Sequence, residues 1–186
     1  MTPSPFLFKE FELEIKLSQD KSRLLQKGEK WDFSNPPMDI VELSESMVKT
    51  MLAKNGLGLA YNQTNLPDNF SIFAMRGSPE NFIIINPRII QPSEEMIELD
   101  EGCLSFPNLI FHISRPRHIR MRFQAPNGET FTKTFTDMTA RIVQHEMCHL
   151  EGKPFWSGLS KIKFDRDVRK AYKRGFDYRG LTYKGS

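Results

Sequence analysis

Residues 137–151 read DMTARIVQHEMCHLE and carry the strongest structural signal in the 186-residue chain. We predict a helix here, because Thr136 or Asp137 can cap its start and Gly152 can end it. Within it, HEMCH places two histidines four residues apart, so both imidazoles lie on one helical face and can reach one metal ion. The acid between them can reach a water bound to that ion and serve as general base. The stretch therefore predicts a central, metal-binding helix.

The two histidines, His145 and His149, need a third protein ligand if the site is to be catalytic. A downstream ligand is not favoured, because the position used in HExxHxxGxxH proteins is Phe155 and the last glutamate is Glu151. The upstream candidate is Cys103, whose thiolate would be a good ligand for a transition metal. Two alternatives remain open: a small buried apolar side chain, or a disulfide with Cys148, which a reducing compartment disfavours.

Composition limits the classes of function. Hydrophobic residues make up 39% of the chain and include fifteen Phe, which suits one globular domain with a buried core. The net charge of +3 is too small to argue for nucleic-acid binding by itself. Basic residues concentrate at 161–184. They are interpreted either as a solvated helix face and tail or as a contact to the ribosome or RNA. We expect a cytoplasmic location without a membrane, because neither a signal segment nor a long apolar run is found.

The hydrophobic pattern favours an α+β fold. A helix is predicted over 39–55, with Asp39 as its cap and Gly56 as its stop. The segment 56–63 resembles neither helix nor strand. Asn127-Gly128 is a strong turn signal for a hairpin. Strands are predicted over residues 6–17, 71–75, 82–86, 96–99, 118–124 and 129–135. A last helix is predicted over 164–174.

Three motifs stand in order along the chain: Gly56-Leu57-Gly58-Leu59-Ala60-Tyr61-Asn62-Gln63, Glu101-Gly102-Cys103-Leu104-Ser105, and Gln144 directly before HEMCH. In this combination the chain resembles the peptide deformylase family, over about residues 40–155. The resemblance implies antiparallel or mixed β-sheets packed around the HExxH helix. It also implies one catalytic domain over 1–186, with an irregular N-terminal part (1–38) and a basic C-terminal helix and tail (160–186).

The resemblance also implies roles for individual residues. Cys103, His145 and His149 would hold one divalent metal ion per chain, natively Fe(II), with Zn, Ni or Co also accepted. Glu146 would be the base. The side-chain amide of Gln63 and the backbone N–H of Leu104 would stabilise the oxyanion. The substrate would be the formyl-methionyl end of a nascent peptide, and the enzyme would be a monomer. For Gln63 alone, a surface glutamine is the alternative.

Five further residues are candidates for substrate binding. Gly56 and Gly58 would let a peptide backbone lie alongside as an added strand, or they are simple turn glycines. Leu57, Ile142 and Val143 would form walls of an apolar methionine pocket, or they are simple core residues. Gly102 would permit an unusual turn or a close approach.

The chain departs from the family at Cys148, where an aspartate is usual and pairs with a basic residue. Arg115 is the candidate for that basic residue. An unpaired buried arginine is costly, so we expect a rearrangement or another acid nearby. Tyr61 and the segment 26–38 are also unusual, which indicates a divergent member from a bacterium, a phage or an organelle.

Three other functions compete with this interpretation. A metal peptidase of other specificity would use a ligand other than Cys103. A catalytically silent homologue would bind metal without turnover, and a purely structural protein would leave all three motifs as coincidence.

Overall fold

The computed structural model describes residues 13–18, 20–181 and 183. Two short 3-10 helices lie at Lys21–Leu25 and Tyr61–Gln63. The other elements, in chain order, are α1 (Ile40–Ala53), β1 (Gly58–Ala60), β2 (Ile72–Met75), β3 (Phe82–Pro92), β4 (Met96–Cys103), β5 (Phe106–Pro116), β6 (His118–Gln124), β7 (Thr130–Thr136), α2 (Asp137–Leu150) and α3 (Lys161–Lys173).

The strands form two antiparallel sheets. The larger sheet has the order β1-β2-β3-β6-β7, and β4 pairs only with β5. Helix α2 contacts β1, β2, β6 and β7 of the larger sheet and β5 of the smaller one. The α+β fold with a central HExxH helix is therefore confirmed, and α2 is the element that both sheets share.

Three hydrophobic clusters build the core. One packs α2 against the larger sheet, and a second packs α1 against the other face of its first strands. The third lies under the β4–β5 sheet and α3, where Phe111 stacks on Phe164 with ring centroids 5.5 Å apart. Because α2 is covered on several sides, the residues on its inward face are removed from water.

Local signals explain where the helices begin. Asp39 caps α1, since its carboxylate accepts from the N–H groups of Val41 and Glu42 at 2.8 and 2.9 Å. At the start of α2 the N-cap is Thr136, one of the two residues predicted for it. The Thr136 side chain makes no capping hydrogen bond; instead the Thr136 N–H donates to Thr139 Oγ1 at 3.2 Å. The side chain of Asp137 pairs with Arg117 at 2.7 Å.

Several local predictions were wrong. Asn55, with a φ of 54°, takes the left-handed position after α1 in place of the predicted stop, Gly56. The segment 56–63 contains β1 and a 3-10 turn. The whole of β5 was missed, although Leu109, Phe111 and Ile113 alternate in it and are buried. The strand over 6–17 lies largely outside the described residues, and within them only an isolated bridge from Leu17 is formed.

The other elements begin close to their predicted starts, but β3 and β4 continue to Pro92 and Cys103, beyond the predicted ends at 86 and 99. The β6–β7 hairpin turns at Asn127-Gly128, with Gly128 at a φ of 82°. Helix α3 begins three residues before its predicted start, after Ser160. In the part of the chain that is described, no helix has the length and apolar character needed to cross a membrane.

Candidate metal centre

Cys103, His145 and His149 meet at the inward face of α2. Cys103 is the last residue of β4, directly before the Leu104-Ser105 turn into β5. The three candidate ligand atoms all lie within 4.8 Å of one another, and Cys103 Sγ is 3.3 Å from His149 Nε2. One thiol and two imidazoles, all buried, form a donor set suited to a transition metal. The residues present therefore fit one divalent ion.

Burial governs the protonation of these ligands in the metal-free chain. It raises the pKa of the Cys103 thiol to about 12 and lowers the pKa values of both histidines. Neutral imidazole is the form that binds metal, so the histidines are in the correct state. A cation at this position would reverse the shift of the thiol and favour the thiolate.

Glu101 fixes the orientation of His145. Its Oε2 lies 3.0 Å from His145 Nδ1, so that nitrogen donates to the carboxylate and leaves Nε2 free for a metal. Burial alone would raise the pKa of Glu101, but hydrogen bonds from Arg115 and His145 hold it at about 2. Glu101 is therefore a buried anion directly behind the candidate metal centre.

Two buried arginines hold Glu101 in turn. Arg115 donates to both carboxylate oxygens at 2.6 and 2.8 Å, and Arg141 donates to Oε1 at 2.8 Å. The remaining Nη1 of Arg115 lies 3.5 Å from Cys148 Sγ. The expectation of another acid near Arg115 is confirmed. Glu101 is that acid, and it pairs with the guanidinium in the place of the usual aspartate.

No role for Arg141 was predicted, although a signal was available in the sequence. It stands four residues before His145, so helical geometry places the two side chains on one face. Arg141 also donates to the carbonyl oxygens of Ile97 and Ile113, which ties α2 to the β4–β5 sheet.

Glu146 is buried beside the ligands. Burial, together with the charge of Glu101, raises its pKa to about 8 in the metal-free chain. Its Oε2 is buried and has no hydrogen-bond partner among the described residues. Gly58 makes room for this carboxylate, because a Cβ at Gly58 would lie 2.2 Å from Glu146 Oε1. A side chain at position 58 would therefore force the acid to shift.

Gln63 is an oriented, buried residue. Its Oε1 accepts from the backbone N–H of Ala60 at 2.8 Å, and its Nε2 donates to Ser105 Oγ at 3.1 Å and lies 3.4 Å from Cys103 Sγ. The accepted hydrogen bond fixes which end of the amide faces the cluster. The alternative of a surface glutamine is excluded.

A cavity of about 680 Å³ opens onto the cluster. Most of the site residues predicted from the sequence line it, together with residues that were not predicted. Those that matter here are Gly56, Leu57, Gly58, Gln63, Cys103, Leu104, Met138, Arg141, Ile142, His145 and Glu146.

One prediction fails at this cavity, and another is narrowed. Val143 is not among its lining residues and is fully buried between α2 and the larger sheet, because one step along a helix turns the side chain by about 100°. Of the two alternatives for Gly102, the close approach is excluded, since the nearest atom to an added Cβ would be 3.8 Å away, whereas the β4–β5 register does shift between Gly102 and Cys103. Met138, on the same face as Ile142, is the wall residue that was overlooked.

Replacing Gly58 by alanine should displace the Glu146 carboxylate and lower kcat at least about tenfold, the effect of a misplaced catalytic group. Gly180→Ala is the matched control, because an added Cβ there meets no atom within 4 Å. Formate release from a formyl-methionyl peptide measures both variants. Equal rates for Gly58→Ala and wild type would show that the contact with Glu146 is unimportant.

Replacing Glu101 by glutamine should weaken metal binding by about 10- to 100-fold, the usual cost of losing a partner that orients a ligand histidine. Competition with a chromogenic chelator gives the affinity, and circular dichroism checks the fold. Glu98→Gln, a change at an exposed acid of the same strand, is the control. Unchanged affinity in Glu101→Gln would contradict the orienting role.

The chain matches known proteins over most of its length. A family model described as polypeptide deformylase matches residues 13–165. The peptide deformylase of Bartonella tribocorum is 36% identical over 138 residues, which cover 72% of this chain and 78% of that protein. The crystal structure of Arabidopsis thaliana peptide deformylase 1B with an inhibitor has a TM-score of 0.75 at 26% identity, covering 87% of this chain and 90% of that one.

A third similar structure carries a peptide. The peptide deformylase of Acinetobacter baumannii, described as bound to Met-Ala-Ser, has a TM-score of 0.69 at 26% identity. The alignment covers 77% of this chain and 97% of that chain.

Proposed function

The chain belongs to the peptide deformylase family, and on this premise we propose how its own residues remove the N-formyl group from nascent chains. Membership makes it a metal-dependent enzyme. The observation that carries the proposed roles is the cluster of Cys103, His145 and His149 within 4.8 Å, with Glu146 buried beside it. A different metal peptidase, which would use another ligand, is not favoured.

Glu146 moves the protons in the proposed mechanism. A divalent ion held by Cys103, His145 and His149 would supply Lewis acidity and make water at the site more acidic. The Glu146 carboxylate takes the proton as water attacks the formyl carbon. It then gives that proton to the departing amine nitrogen, and formate and a free N-terminal methionine result. General acid–base catalysis of this kind accelerates reactions about 10²- to 10⁴-fold.

Gln63 and Leu104 are the proposed donors to the oxyanion of the tetrahedral intermediate. One hydrogen of the Gln63 Nε2 group is directed to Ser105 Oγ and the other to Cys103 Sγ, so the group faces the cluster, and donation to an oxyanion there would replace the contact with the sulfur. Leu104 lies in the turn next to the ligand Cys103, which places its backbone at the same cavity. A silent metal-binding homologue would have no use for a buried base and an oriented amide.

The substrate is proposed to lie along β1. This strand is an edge of the larger sheet, and Gly56 to Gly58 line the cavity beside it, so an extended peptide can add as a further strand. Leu57 and Ile142, with Met138, would contact the methionine side chain. The Met-Ala-Ser peptide named for the similar Acinetobacter structure has the same N-terminal residue as this proposed product.

The ion is proposed to be a single Fe(II), with Zn, Ni or Co as substitutes, because a thiolate with two imidazoles accepts several transition metals. We further propose that a monomer acts in the cytoplasm, where formylated chains are made. The proposed ribosome contact through residues 160–186 is supported by exposed basic side chains there, since Arg169, Lys173 and Arg174 have no ion pair within the described part of the chain.

Substrate selectivity tests the proposal. The Fe(II) form should release formate from formyl-Met-Ala-Ser at least about 10²-fold faster than it releases acetate from acetyl-Met-Ala-Ser. It should leave internal bonds of a longer peptide intact. Liquid chromatography with mass spectrometry follows all three reactions. Cleavage of internal bonds at a comparable rate would favour the peptidase instead.

A further inference from the structure

Lys21 joins a distant part of the chain to the turn that follows Cys103. It is the first residue of the 3-10 helix Lys21–Leu25, and its Nζ donates a hydrogen bond to the carbonyl oxygen of Ser105, 84 positions later in the sequence. The same Nζ lies over the ring of Phe106, 5.1 Å from its centroid. Contacts with two successive residues therefore place one ammonium group at the start of β5.

The 3-10 helix that carries Lys21 is held in place independently of this contact. Arg23 donates to the carbonyl oxygens of Leu66 and Asp68 at 2.6 and 2.7 Å. Leu24 is buried in the hydrophobic cluster under the β4–β5 sheet. Lys21 therefore extends from a fixed helix, and a change of its side chain leaves these other contacts intact.

The turn that accepts this hydrogen bond lies outside the regular part of its sheet. Cys103 pairs with Phe106, but the β4–β5 register shifts between Gly102 and Cys103, so the turn stands beyond an irregularity in a two-stranded sheet. Within the described part of the chain, no carboxylate lies within 4.0 Å of Lys21 Nζ to compete for it. Because a charged donor makes a stronger hydrogen bond than a neutral one, Lys21 restrains a turn that the strand ladder does not.

Ser105 links this contact to the residues of the site. Its Oγ accepts from Gln63 Nε2 at 3.1 Å, and the same Nε2 lies 3.4 Å from Cys103 Sγ. Leu104, whose N–H is a proposed oxyanion donor, directly precedes Ser105 in the chain. A movement of Ser105 would therefore displace the thiol and both proposed donors together.

The chain just before Lys21 contacts the segment of the other proposed donor. The N–H of Ser18 donates to the backbone carbonyl oxygen of Gln63 at 2.8 Å. Ser18 and Lys21 are three positions apart in the sequence, yet they bind the two segments that carry Gln63 and Leu104. The N-terminal part of the chain therefore connects the two proposed oxyanion donors.

We propose that Lys21 is a positioning residue of the deformylase site and holds the Leu104-Ser105 turn where catalysis requires it. The proposal rests on the proposed function, which assigns the metal to Cys103 and the oxyanion to the Leu104 N–H. Lys21 is not among the residues that line the cavity, so it acts through the turn and not on the substrate. Donors to a developing charge are effective because they are fixed before the reaction, and a displaced turn would lose that advantage.

The test compares three variants of the full chain with the wild type. Lys21→Met keeps an unbranched side chain over Phe106 but removes the charged donor, whereas Lys21→Arg keeps a charged donor. Lys27→Met is the matched control, because Lys27 is an exposed lysine six positions later and lines no part of the catalytic cavity.

Each variant is measured in two metal forms. With Fe(II), formate release from formyl-Met-Ala-Ser gives kcat and KM. With Co(II), the absorption bands of the bound ion report the arrangement of Cys103 and the two histidines, and a chelator titration gives the affinity. The second form reports on the turn without relying on turnover.

We expect Lys21→Met to lower kcat and the affinity for Co(II) about tenfold each, the lower end of the cost of losing an outer partner of a metal site. Its KM should stay within about twofold of the wild-type value, because the walls of the cavity are unchanged. The Co(II) bands should shift. Lys21→Arg should restore the bands and bring kcat to within about threefold of the wild type, since arginine keeps the charge and the donor. Lys27→Met should match the wild type in every measurement.

Three results would overturn the proposal. Wild-type kcat and Co(II) bands in Lys21→Met would show that the hydrogen bond to Ser105 is unimportant. Equal losses in Lys21→Met and Lys27→Met would show a general effect of charge, and a loss that Lys21→Arg does not restore would show that the charged donor is not the cause. A wild-type chain that releases no formate would contradict the proposed function instead, and the Co(II) bands would still decide the role of Lys21.

Discussion

Replacing Cys103 by alanine should remove both the bound metal and the activity. Cys103 supplies the only thiol among the clustered ligand atoms, and it joins β4 to a centre otherwise built on α2 alone. Loss of a group that merely orients a ligand costs about 10- to 100-fold in metal affinity, so loss of the ligand itself should cost more than about 100-fold. Metal analysis after gel filtration should then find well under one ion per chain.

Cys148→Ser is the matched control for this change. Cys148 contacts Arg115 and does not belong to the ligand cluster, so its variant should keep about one ion per chain. Thermal unfolding of both apo-variants shows whether either change disturbs folding. Full metal content in Cys103→Ala would contradict the assignment of the third ligand and would revive a metal hydrolase with a different site.

Replacing Glu146 by glutamine should abolish turnover while the metal stays bound. Glutamine has nearly the same shape, so it fits the space beside Gly58, but it cannot take a proton from water. We expect kcat to fall by about 10²- to 10⁴-fold, the range measured for the loss of a general acid–base group. Formate release and metal analysis on the same preparation measure the two quantities together.

Glu151→Gln is the control here, because Glu151 is an exposed acid just after the same helix. It should match the wild type in both measurements. A Glu146→Gln variant that retains more than about a tenth of wild-type kcat would show that another group carries the proton. Loss of metal from that variant would show that Glu146 acts as a ligand instead.

The sequence predicted the elements with strong local signals. The capped, periodic helix α1 and the Asn-Gly hairpin of β6 and β7 were found because their signals lie within a few residues. The HExxH spacing placed two ligands on one helical face for the same reason. The third ligand came from the motif around Cys103, although its place beside α2 depends on the pairing of β4 with β5.

The features that were not predicted depend on contacts between residues distant in sequence. Strand β1 has only three residues and forms because β2 pairs with it, so no local pattern indicates it. The hydrogen bonds from Arg115 and Arg141 to Glu101 join residues up to 40 positions apart. The contact of Gly58 with Glu146 could not be predicted, because it arises from the packing of α2 on β1. The sequence alone indicated only a turn or a substrate contact at Gly58.

Formate release by the wild-type chain is the most direct test. The protein would be purified without oxygen and loaded with Fe(II), because oxidation of Cys103 or of the metal imitates inactivity. With one ion per chain proven by metal analysis, formyl-Met-Ala-Ser should yield equal amounts of formate and Met-Ala-Ser, catalytically and over many turnovers. If chains proven to hold one ion release no formate, the deformylase account of this site is wrong.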